Sequence, residues 1–142
     1  MKRILTAFCL AMACPLALAT DHGITDEKVK QYLLIENNSM KCFEPELWNA
    51  KTDEERQAII DRKGLRQQND AYRHEMALTL EIFGEELGAE LMSSGFVLQR
   101  IYNQKVEKLR NRKTTVKTEA DCQKLADYRY KLLRKHYYGE KE

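Results

Sequence analysis

The side chains best suited to metal or acid–base chemistry are three histidines, His22, His74 and His136, and four glutamates, Glu81, Glu85, Glu86 and Glu90. A metal site needs ligands whose spacing brings them together, and the histidines lie far apart. His74-Glu75 opens like a zinc-protease helix, but the residue four positions on is Leu78, so the second ligand is absent. No Cys-x-x-Cys occurs, which removes thioredoxin-like redox chemistry and attached haem. Ser93 and Ser94 stand outside any Gly-x-Ser-x-Gly elbow, and no glycine-rich loop is built to cradle phosphate. On a helix, Glu81 and Glu85 share one side while Glu86 and Glu90 share another. A glycosidase holds two carboxyls about 5–9 Å apart across a cleft; these four flank an apolar stripe, as solvated glutamates do. His136 falls on an apolar stripe and reads as a packed core residue. The expectation is a protein that is not an enzyme and carries no metal or cofactor.

The remaining reactive residues are cysteines, and their meaning depends on compartment. Met1-Lys2-Arg3 precedes an apolar stretch from Ile4 to Ala13 and the triplet Ala17-Leu18-Ala19. Cations, an apolar run and small residues before a cut are the parts of a secretory signal. Residues 1–19 are therefore expected to be cleaved, leaving residues 20–142 as a single helical domain in the periplasm. A membrane anchor is disfavoured, because the apolar run is short for a span of about 20 residues. A lipoprotein lipidated at Cys14 is the competing reading, although Ala11 stands where such motifs carry a larger aliphatic residue. Cys9 and Cys14 leave with the signal, so Cys42 and Cys122 remain. In an oxidising compartment two cysteines allow one intramolecular pairing.

These residues must be positioned by helices, since β-branched runs are scarce. Thr25 is placed to cap a first helix with Val29, Tyr32, Leu33 and Met40 on its apolar face. Glu36 interrupts that face, and Asn37-Asn38-Ser39 is expected to end or fray the helix. A short turn with Pro45 at its start follows, placing Phe43 and Trp48 over the core near the disulfide. Thr52 and Glu55 form a capping-box pattern, and Gly64 is a stop or kink. From Leu65 the series Asn69, Tyr72, Met76, Leu80, Phe83 and Leu87 describes one stripe of a long helix, with Gly84 and Gly88 giving it a side free of bulk. Ser93-Ser94-Gly95 is a break. Val97 to Leu109 is a further helix, residues 111–117 a basic joint, and Thr118 to Asp121 the opening of a last helix whose stripe includes Cys122, Leu125, Leu132 and His136. The fold class is all-α, a bundle of four or five helices with one disulfide.

Without Lys2 and Arg3 the basic and acidic residues balance, with an excess of acid in residues 20–96 and of base in residues 97–142. Zero net charge argues against general binding to nucleic acid, whose affinity comes from neutralising phosphates. The asymmetry serves either attraction between helical layers or opposite faces for partners.

Cys42 and the run Asp121-Cys122-Gln123-Lys124-Leu125-Ala126-Asp127-Tyr128, in an exported helical chain of this size, resemble the helical immunity proteins of type VI secretion amidase effectors. The layout is also similar to that of the pilotins of type II secretion. The first resemblance implies a periplasmic protein that binds a secreted hydrolase and blocks its cleft; the second implies an envelope accessory factor. A protein partner is expected in either case, and a homodimer stays open. The candidate contact residues are Arg112, Lys113 and Lys117 of the basic joint, read as inserting into a partner, and the acidic group Glu85, Glu86 and Glu90. Both groups can equally be solvated surface. The small-residue rule at Ala17 and Ala19 gives a first test: intact mass of the exported protein should correspond to a chain starting at Thr20. A chain starting at lipid-modified Cys14 would overturn the cleavage site.

Overall fold

We describe residues 21–93 and 96–139 of a computed structural model; the signal segment and the Ser94-Gly95 part of the expected break lie outside the described residues. Six helices run in the order α1 (Asp26–Phe43), α2 (Pro45–Asn49), α3 (Asp53–Phe83), α4 (Glu85–Met92), α5 (Phe96–Leu109) and α6 (Glu119–His136), with no strand among the described residues. The all-α class holds, and the expected four or five helices become six. The extra elements arise where one glycine cuts a helix and where a single proline-led turn stands alone.

Helix ends follow the local chemistry. Thr25 Oγ1 accepts from the Lys28 amide at the start of α1, and Thr52 Oγ1 accepts from the Glu55 amide at the start of α3. In return the Glu55 carboxylate accepts from the Lys51 amide, one residue before the expected partner. At α6 the box is complete, with Thr118 capping Asp121 and the Asp121 carboxylate accepting from the Thr118 amide. Asn37-Asn38-Ser39 does not end α1, which continues to Phe43. The asparagines compete with helix for local bonds only when nothing distant engages them, and here their side chains are engaged elsewhere.

Glycine shapes the middle of the chain. Gly64 takes φ 74° and ψ 172°, a non-helical backbone that kinks α3 there. Gly84, at φ 88°, stops α3 and lets α4 begin at once in a new direction. The single long stripe through Leu87 is therefore cut, and Gly84 is a hinge where a helix-packing position was expected. Gly88 is the close approach: a Cβ there would lie 3.0 Å from the Leu80 Cα. Leu65 and Tyr72 of the expected stripe are exposed, because they lie on a side of α3 that no element covers; Ala77, Leu78, Ile82 and Phe83 carry its burial.

The core gathers Ile24, Val29 and Tyr32 with that end of α3, Leu91 of α4 and Leu132 of α6. Tyr32, Phe83 and Tyr102 form an aromatic trio with centroids 5.9–6.4 Å apart, favourable tilted and edge-to-face geometry. Lys105 of α5 pairs with Asp26 at 2.8 Å, and Glu81 of α3 receives both Lys135 and His136 of α6. Cys42 and Cys122 are bonded, Cα atoms 5.5 Å apart, joining the end of α1 to the first turn of α6 across 80 residues.

Between α5 and α6 the backbone has no regular structure, and α1 supplies its hydrogen bonds. Asn37 Nδ2 donates to the carbonyls of Asn111 and Lys113, and Lys41 Nζ donates to that of Val116. Asn38 is buried; its Oδ1 accepts from the amides of Thr115 and Val116 while its Nδ2 donates to Thr115 Oγ1. Replacing Asn38 by alanine strands the buried Val116 amide, so stability to urea should fall by about 2–3 kcal/mol. Cys122→Ser should cost about 2–5 kcal/mol by the same measurement. An Asn38→Ala protein as stable as its parent would mean that other contacts hold the segment.

Candidate functional site

The basic joint is a strap. Residues 111–117 were expected to project between helices; they lie along α1 instead. Arg112 donates to the Trp48 carbonyl, and its guanidinium stacks on the Trp48 ring, 4.2 Å from the centroid. Such a cation–π contact fixes a long side chain that would otherwise sample many rotamers. The Lys113 amide is held by Asn111 Oδ1, and the Lys117 amide by the Asp121 carboxylate. Arg112, Lys113 and Lys117 remain exposed, so a backbone tied down at several points carries three cations at the surface. Two of the helices' aromatic residues serve arginines rather than the core: Trp48 is half-buried under Arg112, and Phe43 is exposed under Arg129, at 4.7 Å.

Glu85, Glu86 and Glu90 are exposed on α4, the first two in its first turn, where negative charge suits the helix dipole. Glu81 parts company with them. Its carboxyl is held below the usual range by the hydrogen bond from His136 and then by that from Lys135. His136 is a packed residue as expected, its side chain 4% exposed against Glu81.

A second constellation is formed by residues that the sequence reading did not single out as a site. Glu36 of α1, His74 of α3 and Arg129 of α6 share a small enclosed void with Ser39, Leu78 and Leu132. Burial, reinforced by Glu75, pushes the Glu36 carboxyl up to about 7, against the pull of Arg129. Burial, and then Arg129, brings the His74 imidazole down to about 4. Burial also lowers Arg129, with Glu36 and Glu44 opposing the shift. His74 and Arg129 also line an open groove bordered by Phe43, Pro45, Lys63 and Ala71. Two clues to this cluster were in the sequence. Glu36 interrupts an apolar face, and Arg129 lies three positions before Leu132 and seven after Cys122 on the last helix's stripe. What the sequence lacked was the pairing of helices that brings the two together.

The arrangement defines a disulfide-bonded helical bundle with a hydrogen-bonded basic strap and a separate polar groove. No protein-family model, curated protein or solved structure matches the protein. Among the described residues, no group of three or more His, Cys, Asp or Glu is placed to hold a metal, and no helix is long and apolar enough to cross a membrane.

Glu36 and His74 act oppositely on stability. In the fold Glu36 keeps its proton from about 4.5 to about 7, where the unfolded chain loses it, so its contribution falls as pH rises through that window. His74 is neutral in the fold from about 4 to 6.5, where the unfolded chain is protonated, so its contribution rises with pH. The two slopes oppose each other where the windows overlap. As pH rises from 4.5 to 6.5, Glu36→Gln should therefore gain stability relative to the parent, by on the order of 2 kcal/mol, and His74→Gln should lose it, by less, because water screens the half-exposed imidazole. Parallel pH profiles of urea stability for all three proteins would contradict this assignment.

Proposed function

We propose that the protein is an exported binding protein that inhibits a hydrolase acting in the periplasm, with one molecule engaging one enzyme. This is the role played by the immunity proteins of type VI secretion amidase effectors. The observation that carries the reading is the fixed basic edge: Arg112, Lys113 and Lys117 are displayed by a segment without regular structure that is tied down along α1 and at the α6 cap. A surface that is ordered before binding loses little conformational entropy on association, which favours tight inhibition. The signal-like N-terminus and the Cys42–Cys122 bond both suit an oxidising compartment outside the cytoplasm.

The test is capture of partners by the mature protein from the secreted and periplasmic fractions of its own cell. A recovered hydrolase should lose activity at one-to-one mixing. Lys113→Glu combined with Lys117→Glu should weaken that inhibition at least about tenfold, mainly through slower, salt-sensitive association. Folding stability should change by no more than about 0.5 kcal/mol at these exposed positions. Loss of inhibition on substituting Glu85, Glu86 and Glu90 by glutamine instead would move the contact to α4. Recovery of outer-membrane secretion components alone would assign the accessory role of a pilotin-like protein, and catalytic turnover by the pure protein would exclude both.

A further inference from the structure

The groove between α2, α3 and α6 has a volume of about 430 Å³, within the range of about 300–1,000 Å³ common for ligand sites. The carboxylates on its walls already have cations: Glu44 is paired with Lys63 at 2.9 Å, Glu46 with Arg62, and Asp70 with Arg73 at 3.4 Å. Arg129 differs from those cations. Its guanidinium lies on the Phe43 ring, and among the described residues it donates no hydrogen bond to another side chain or carbonyl. Stacking occupies the face of a guanidinium and leaves its in-plane donors available. Beside it, His74 Nδ1 is buried without a hydrogen-bond partner. Buried polar atoms in folded proteins nearly always have partners, so unused hydrogen-bonding capacity in two side chains that both line this groove is a mark of recognition.

We infer that this groove binds a carboxylate of a protein partner, with the Arg129 guanidinium gripping the two oxygens, His74 adding a polar contact, and the attached carbons lying against Phe43, Pro45 and Ala71. The inference rests on the partner-binding reading and adds a second contact point, distinct from the basic edge. A carboxylate fits better than a phosphate for two reasons. The guanidinium fork matches two carboxylate oxygens, and a doubly charged group would meet Glu44, Glu46 and Asp70 at the walls. An acidic side chain and the terminal carboxylate of a polypeptide offer the same chemistry.

The experiment is a titration of the full mature protein followed by NMR at the Arg129 Nε–H and His74 ring signals. Four probes are used at millimolar concentration: N-acetyl-glutamate N-methylamide, its glutamine counterpart, N-acetyl-alanine and inorganic phosphate. Saturable shifts with the glutamate or alanine probe and none with the glutamine probe support the site. The tighter of the two acids tells whether a side-chain or a terminal carboxylate is preferred. Arg129→Lys should weaken the better probe at least about tenfold, and Phe43→Leu should weaken it less. The acid–amide comparison needs only the parent protein, so it decides even if the arginine variant fails to fold. Equal binding of acid and amide, tighter binding of phosphate, absence of saturable shifts, or shifts confined to Lys113 and Lys117 would each overturn the inference. Capture of a hydrolase alongside any of those results would leave the partner-binding reading standing.

Discussion

One buried amide side chain governs the connection between the two halves of this protein. Asn38 is the buried polar residue among those described, and it lies within a helix, where asparagine has no intrinsic advantage. Its value comes from the two amides and the hydroxyl of residues 115 and 116 that it satisfies at once. Where backbone without helix or strand is buried, as at Val116, its polar groups must find partners or carry the cost of a lost hydrogen bond. Asn37 and Lys41 extend the same service along α1. The strap is therefore ordered by side chains rather than by its own backbone, and Val116 is drawn into a buried position.

The disulfide and this strap reinforce each other because both join the later part of α1 to the start of α6. Cys42 lies one residue beyond Lys41, and Cys122 stands just past the Thr118–Asp121 cap. With that end fixed covalently, the other end of α6 is secured at Glu81, which pairs with Lys135 and shares a hydrogen bond with His136. α5 is held differently, by Lys105 on Asp26 and by Tyr102 in the aromatic trio. The acidic first part of the protein and the basic last part thus meet at identifiable pairs. The charge asymmetry contributes to internal attachment, and it also leaves the cations of the strap and the glutamates of α4 facing solvent.

The two large aromatic residues near the disulfide illustrate how function and packing diverge on a small domain. Trp48 and Phe43 each offer a ring face to an arginine, and neither is part of the main core. Arg112 is immobilised together with the backbone it touches. Arg129, held by the Phe43 ring and the attraction of Glu36 and Glu44, keeps its donors for the groove. Similar stacking therefore yields a fixed surface at one position and an available cation at the other, the difference being the Trp48 carbonyl that Arg112 also binds.

Much of the fold was legible in the residues themselves. Caps at Thr25, Thr52 and Thr118, the proline-led turn at Pro45 and the kink at Gly64 are local properties of a few adjacent residues, and such properties survive in any tertiary context. The all-α class and the cysteine pair follow from periodicity, composition and parity. The sequence did not determine where α1 ends, because Asn37 and Asn38 break helices or extend them according to what lies some 75 residues away. Nor did it determine which stripe of α3 is buried, since a helix shows its apolar positions but not how much of its length other helices cover. The pairing of Glu36, His74 and Arg129 was decided by tertiary structure alone. Three residues on three helices become one electrostatic unit only when packing excludes water between them, and no spacing along the sequence encodes that exclusion.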